Sequence, residues 1–294
     1  MRRFDMYVPE DLTDLLEYLD SHQSGVHIIA NGSDLINRIQ RRQVNPKVVV
    51  DLSGLSEFNY VRKEGNTIRI GAMTTISDLI ASPIIDSRHD VFREAAAKFG
   101  GPSIRNVATV GGNICAASSS EDLLPVLLVL DAQVRVKSKL GERVLRLEDF
   151  LKGKRVTELK ANEILVETMF HELDEQSACA FEKIGMRNSL IIAFVSATVY
   201  LKLDKKSQRA EQIRIAFNRV GGKIPERAKH TEEKLRGKVL NPQLIDDAIA
   251  SLRSELRLSS DFRVSGEYRS DVACVIFKRA LDRCIEKLVG ERLG

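Results

Sequence analysis

The chain contains no tryptophan, and phenylalanine and tyrosine together supply only 5% of its residues. A protein that grips nucleic acid pairs a concentrated basic stripe with exposed aromatic faces. Here 45 basic and 41 acidic residues are interspersed for a net charge of +4, and only short clusters such as Arg41-Arg42 and Lys205-Lys206 break the mixture. Nucleic-acid binding is therefore not expected. The four cysteines, Cys115, Cys179, Cys274 and Cys284, lie far apart, which argues against a disulfide framework and against a CxxC-type clip for zinc or an iron–sulfur cluster. His22 and His27 stand away from other ligand types, so no metal site is expected. Also missing are GxGxxG after a strand, GxxxxGK(S/T) and GxSxG, the marks of Rossmann, P-loop and serine-hydrolase sites. No apolar run approaches the roughly 18 residues that span a bilayer. The opening stretch MRRFDMYVPEDL lacks the apolar segment of a secretory signal, so a reduced, cytoplasmic protein is expected.

What is present is a folded composition, with 43% apolar and 29% charged residues over 294 positions, a length that suggests about two domains. Leu12, Leu15, Leu16 and Leu19 follow Pro9 at helical spacing. Val26-His27-Ile28-Ile29-Ala30 reads as a short apolar strand and Lys47-Val48-Val49-Val50-Asp51 as a second one of the buried, β-branched kind, flanking a helical stretch through Leu35, Ile36 and Ile39. This βαβ material predicts a small parallel layer. From about residue 58, Phe58–Arg62 and Thr67–Gly71 flank the hairpin signal Glu64-Gly65-Asn66, and Thr75 through Asp78 reads as a helix cap. Phe92–Phe99 predicts a helix stopped by Gly100-Gly101-Pro102, and Gln133–Ser138, Arg143–Leu147 and Glu163–Phe170 predict antiparallel strands. Beyond a boundary near residue 175, Ala180–Ile184, Ile191–Leu203 and Gln212–Phe217 read as a second antiparallel set. The chain past Pro225 reads as mostly helical, and Ala273, Ile276, Phe277, Ala280 and Cys284 share one face of the last helix.

Two loops place small residues where a strand ends. The first is Ala30-Asn31-Gly32-Ser33-Asp34; the second is Thr109-Val110-Gly111-Gly112-Asn113, followed by a small-residue tract from Cys115 to Ser120. Glycine permits close approach and positive φ, consecutive N–H groups can form an anion-binding nest, and a helix start after the first loop adds a positive end. Converging, the two could hold a diphosphate without lysine; taken singly, each also reads as an ordinary tight turn.

Together these motifs resemble one family. Ala30-Asn31-Gly32-Ser33-Asp34-Leu35, Arg105-Asn106-Val107-Ala108-Thr109-Val110-Gly111-Gly112-Asn113-Ile114, and Asp122-Leu123 with Pro125 are similar to the FAD-binding, medium-chain subunit of the molybdenum hydroxylases, the xanthine dehydrogenase and aerobic-type carbon monoxide dehydrogenase family. Phe181-Glu182-Lys183 with Arg187 and Ile192-Ala193, and Ser260-Asp261-Phe262-Arg263-Val264-Ser265 with Glu267-Tyr268-Arg269, agree, so the resemblance spans nearly the whole chain.

The resemblance implies an α+β fold: a two-lobed FAD-binding domain of the vanillyl-alcohol oxidase type over residues 1–175, with an N-terminal αβ lobe (1–57) and an α+β lobe (58–175). A flavoprotein C-terminal domain with a small antiparallel sheet and a helical bundle would occupy 176–294. It implies non-covalent FAD, with molybdopterin in a large partner subunit and two 2Fe–2S clusters in a small one, assembled as a dimer of heterotrimers. Electrons would run from those clusters through FAD to an external acceptor, NAD or a quinone. By the same resemblance Ile28, Ile29, Ala30, Asn31, Gly32, Ser33, Asp34 and Leu35 would wrap the diphosphate. Thr109, Val110, Gly111, Gly112 and Asn113 would offer hydroxyl, amide and backbone donors to the phosphates and the flavin. Asp122 would accept from FAD hydroxyls, Phe99 and Leu165 would touch the rings, and Lys183 would lie near the cofactor, where its charge suits a reduced flavin.

Each of these residues also has a plainer reading: Phe99 and Leu165 as core, Asp122 as a helix cap, Lys183 as a solvated lysine, Cys115 as a small buried thiol. The chain departs from the family pattern at Asn31, where glycine is usual, and at Ser119, where proline is common. Asparagine tolerates a left-handed backbone. The alternatives are a standalone FAD-dependent reductase of the same fold, like the enzyme reducing UDP-N-acetylglucosamine enolpyruvate, and a scaffold subunit that has lost FAD through Asn31 and Ser119.

Overall fold

The computed structural model describes residues 3–22, 24–186, 193–218, 224–256 and 258–290. The chain forms two compact units, each drawing on separate stretches. Arg187 and Ile192 of the fourth motif, and the first two residues of the strand expected over 191–203, lie outside the described residues.

The first unit comprises 1–84, 101–117 and 132–170. Its N-terminal sheet is parallel, in the order β1 (Asp5–Tyr7), β3 (Val48–Asp51), β2 (Val26–Ile29). The expected parallel layer forms; β1 was not expected, because three residues of DMY carry no periodic signal. Leu15 and Leu19 of the helix Leu12–Ser21 are fully buried against Val50, Leu52 and Ile164, and Asp11 caps that helix by accepting from Asp14 N–H. A five-stranded sheet follows, in the order β4 (Val61–Glu64), β5 (Thr67–Gly71), β10 (Ile164–His171), β6 (Gln133–Ser138), β7 (Gly141–Arg146). The β4–β5 hairpin turns at Gly65-Asn66, where Glu64 pairs with Thr67, as the sequence predicts. A small hairpin joins β8 (Leu151–Gly153) to β9 (Val156–Thr157).

The second unit comprises 85–100, 118–131 and 171–294. Its sheet is antiparallel: β11 (Ser177–Ile184), β12 (Val195–Leu203), β13 (Ala210–Asn218), β14 (Glu226–Arg227). Ala197, Val199, Leu201, Ile213 and Ile215 pack with Ile245, Leu252, Ile276, Phe277 and Leu281 of the helices Pro242–Glu255 and Gly266–Val289. The five residues expected on one face of the last helix are all buried; deleting such a side chain costs about 2–5 kcal/mol.

Two early helices belong to this unit for identifiable reasons. Glu94 of the helix Val91–Ala97 accepts from Arg283 (2.6 Å), Lys287 (2.9 Å) and the Phe181 amide (2.8 Å). Arg214 of β13 donates to the Val129 carbonyl at the end of the helix Leu123–Val129 (2.6 Å).

The late SDFRVS signature is explained by capping. Asp261 accepts from the Arg263 side chain at 2.6 Å and forms an ion pair with Arg269 at 2.9 Å, Ser260 accepts from Gly266 N–H, and Ser265 caps the last helix through Tyr268 N–H. The Arg263 guanidinium holds the Asp261 carboxyl well below the usual carboxylate range. Among the described residues no helix is long and apolar enough to cross a membrane.

Candidate functional site

The first loop leaves β2 at Ala30 and enters the short helix Leu35–Gln40. Its left-handed residue is Gly32, at φ +82°. A Cβ there would lie 3.0 Å from Ile36 Cγ1 and 3.3 Å from Ile29 Cδ1, on top of the backbone strain. Asn31 does not adopt positive φ. The left-handed tolerance that made asparagine an acceptable substitute is not needed at that position, because the glycine the turn requires is the next residue.

Among the described residues the amides of Asn31, Gly32, Ser33, Asp34 and Leu35 donate to no protein acceptor. Carbonyls in the same turn are used: Gly32 O accepts from Ile36 N–H, Ser33 O from the Asn37 side chain, Asp34 O from Arg38 N–H. Consecutive N–H groups without partners, at exposed or half-buried positions except for the buried Leu35, form an anion nest. The following helix has six residues, so its dipole adds little and the amides carry the attraction.

The second loop is built differently. Thr109 caps the helix Val110–Ala116 by accepting from Gly112 N–H at 3.0 Å. Val110 N–H donates to Thr74 O, Gly111 N–H to Ala72 O and Asn113 N–H to Thr109 O, each at 2.9 Å. The backbone donors expected from Val110, Gly111, Gly112 and Asn113 are thus engaged inside the protein, because the loop docks on the 72–75 segment instead of facing outward. What remains is the Thr109 hydroxyl hydrogen and the bare, exposed surface of Gly112. Gly111 is fixed by packing, since a Cβ there would lie 2.6 Å from Ala72 Cβ and 2.7 Å from its carbonyl oxygen.

Arg155 ties the first loop to the C-terminal end of the helix that the second loop opens. Its guanidinium donates to Asp34 Oδ2 (2.7 Å) and to the Ala116 carbonyl (3.2 Å), and its amide donates to the Ala117 carbonyl (2.9 Å). Arg155 and Ala117 are both left-handed, at φ +64° and +42°. Arg38 adds a longer contact to Asp34, 3.7 Å. Sequence reasoning missed Arg155 because a turn residue in a two-strand hairpin has no periodicity to betray it. Leu165 of β10, in the same unit, is 3% exposed and opposite Val136, as a core residue would be.

The remaining residues lie in the second unit. Lys183 and Asp122 form a buried ion pair at 2.6 Å, with side chains 5% and 7% exposed, and Lys183 also donates to the Lys98 carbonyl at 2.8 Å. Two plainer readings fail here: Lys183 is not solvated, and the Asp122 side chain makes no cap bond to its helix. The lysine's charge is matched within the protein by Asp122. Phe99, half-buried, follows the helix Val91–Ala97. Burial pushes the Cys115 thiol up to about 12, which fits an inert thiol.

A nest of free amides around a left-handed glycine forms a donor set that fits a diphosphate, and the neighbouring Asp34 carboxylate is charge-paired with Arg155. Comparison with known proteins gives the identity of the ligand. Residues 2–170 match the family model described as the FAD binding domain in molybdopterin dehydrogenase, and residues 180–284 match the CO dehydrogenase flavoprotein C-terminal domain. The chain is 32% identical over 296 residues to the nicotinate dehydrogenase FAD-subunit of Eubacterium barkeri, covering 99% of each. It is 30% identical over 271 residues to the glyceraldehyde dehydrogenase medium chain of Sulfolobus acidocaldarius, covering 92% of this chain and 94% of the relative. Among solved structures, carbon monoxide dehydrogenase from Hydrogenophaga pseudoflava, in a form lacking the Mo-pyranopterin moiety, superposes with a TM-score of 0.91 at 26% identity, covering 97% of this chain and 98% of the other. The expected α+β architecture with its flavoprotein C-terminal domain is thereby established, and the chain belongs to the family of FAD-binding medium subunits of molybdenum hydroxylases, subunits of oxidoreductase complexes.

Proposed function

We propose that this chain holds FAD non-covalently and conducts electrons from 2Fe–2S clusters of a small partner subunit to an external acceptor, NAD or a quinone. In this reading molybdopterin resides in a large partner subunit, the complex is a cytoplasmic dimer of heterotrimers, and 1–175 and 176–294 are its FAD-binding and C-terminal domains. Bound FAD supplies the exchange between one-electron carriers and a two-electron acceptor. The chain's own residues do the holding. Amides from Asn31 to Leu35 receive the diphosphate, with Ile28, Ile29 and Ala30 fixing the strand that delivers the loop. Thr109 contributes its hydroxyl hydrogen and Asn113 its side chain. Gly112 lets the cofactor approach, while Val110 and Gly111 hold the loop against Thr74 and Ala72. Phe99 and Leu165 offer apolar surface, and Asp122, held by Lys183, offers an acceptor.

The observation that carries this reading is the run of five amides without protein acceptors around Gly32. The test is titration of the flavin-free chain with FAD, followed by flavin fluorescence. Saturable one-to-one binding, with flavin released on denaturation, is expected; a chain indifferent to FAD would be a scaffold. Copurification of a large and a cysteine-rich small chain separates the complex from a standalone reductase.

A further inference from the structure

We propose that Arg155 is a positioning residue for FAD: it anchors the first glycine-containing loop to the end of the helix that the second one opens, and it charge-compensates the Asp34 carboxylate on the loop that receives the diphosphate. The inference rests on the FAD-binding reading above. Three bonds radiate from this one residue, to Asp34 Oδ2, Ala116 O and Ala117 O. The first belongs to the diphosphate loop; the other two end the helix that Thr109 opens.

Geometry explains why arginine serves here. The planar fork reaches a carboxylate and a carbonyl at once, which an ammonium cannot do with the same fixed angles. Asp34 stands at the end of the amide nest, and an uncompensated carboxylate there repels the anion that the nest attracts. Neither side chain is deeply buried, at 31% and 36% exposure, so the pair contributes little to folding. Its effect falls on binding, where a preformed loop pair avoids an ordering cost at the moment of association.

The test uses the full chain freed of flavin, with FAD as titrant and thermal unfolding of the flavin-free protein as the second readout. Arg155→Gln is expected to weaken FAD binding about tenfold, equal to about 1.4 kcal/mol, while the flavin-free melting temperature moves by no more than about 2 °C. Adding Asp34→Asn to Arg155→Gln removes the exposed charge and should recover part of the affinity; Arg155→Lys should fall between wild type and Arg155→Gln. Unchanged affinity in Arg155→Gln overturns the proposal. So does a loss matched by an equal fall in flavin-free stability and unrelieved by Asp34→Asn, the behaviour of a mere strut. Gly32→Val serves as the control for the underlying reading. If it abolishes FAD binding while Arg155→Gln does not weaken it, the cradle stands and the bracket fails; if FAD also binds Gly32→Val with wild-type affinity, the cradle reading fails and takes the bracket with it.

Discussion

Replacing Lys183 by methionine isolates a deeply buried charge pair of the second unit. The substitution keeps most of the side-chain volume and removes the ammonium that Asp122 meets at 2.6 Å, with both side chains under a tenth exposed. The remaining carboxylate then lies in a poorly hydrated environment, and breaking a buried pair in this way costs about 3–5 kcal/mol. At about 2–4 °C per kcal/mol for a unit of this size, Lys183→Met should lower the melting temperature by roughly 10 °C in circular dichroism. Asp122→Leu alone strands the lysine and should cost a similar amount, although the Lys98 carbonyl still accepts one of its protons. The double variant replaces two charges by apolar groups and should lie within about 1 kcal/mol of wild type, since well-packed apolar pairs replace buried ions at little cost. A thermodynamic cycle reads the coupling directly. Two single variants that each cost under about 1 kcal/mol and simply add would refute the reasoning, because that is how a solvated pair behaves.

Three further outcomes follow from the geometry. Gly111→Ala drives a Cβ to 2.6 Å from that of Ala72 and should destabilise the chain by about 1–3 kcal/mol in urea titration. Ala72→Gly in the same molecule should relieve part of that loss, and a neutral Gly111→Ala would contradict the packing. His89 is fully buried, its Nδ1 bonded to Asp86 and its Nε2 facing Leu173 N–H; burial lowers its pKa below 6.5. Folded protein therefore resists protonation where unfolded chain accepts it, so stability should fall as pH drops below about 6.5, most steeply until the lowered value is reached. Equilibrium unfolding from pH 7.5 to 5 checks this; His89→Gln should flatten the slope. Burial raises all four cysteine thiols, Cys115 and Cys284 to about 12. A disulfide reagent at pH 8 should thus label the native protein slowly and the denatured protein at four sites per chain.

Periodicity made much of the fold legible. The parallel strands Val26–Ile29 and Val48–Asp51 are short β-branched runs, the first half-buried and the second with Val49 and Val50 buried, packed beside the leucine face of the helix Leu12–Ser21, and both were readable because burial imposes composition. The last helix was legible for the same reason. β1 and β14, three and two residues long, were not: they exist because a neighbour offers backbone partners, and a backbone hydrogen bond leaves no mark on side-chain choice. Membership of the helix Val91–Ala97 in the second unit was equally hidden, since it depends on Glu94 finding Arg283 across 189 residues of sequence.

At the site, residue identity and residue role came apart. Gly32 and Gly111 both stood out in sequence, yet one supplies a left-handed turn with free amides and the other supplies absence of volume against Ala72. A glycine looks the same in either role; only the partner of its N–H separates them, and that partner for Gly111 is a carbonyl 39 residues earlier. The same reasoning explains why Arg155 escaped notice and why it matters. Its value lies in bonds to one carboxylate and two adjacent carbonyls that come from two separate segments of the chain, and carbonyls are present at every position of every sequence. A motif records the residues whose side chains, or lack of them, are irreplaceable; what arranges those residues is often backbone, and only coordinates display it.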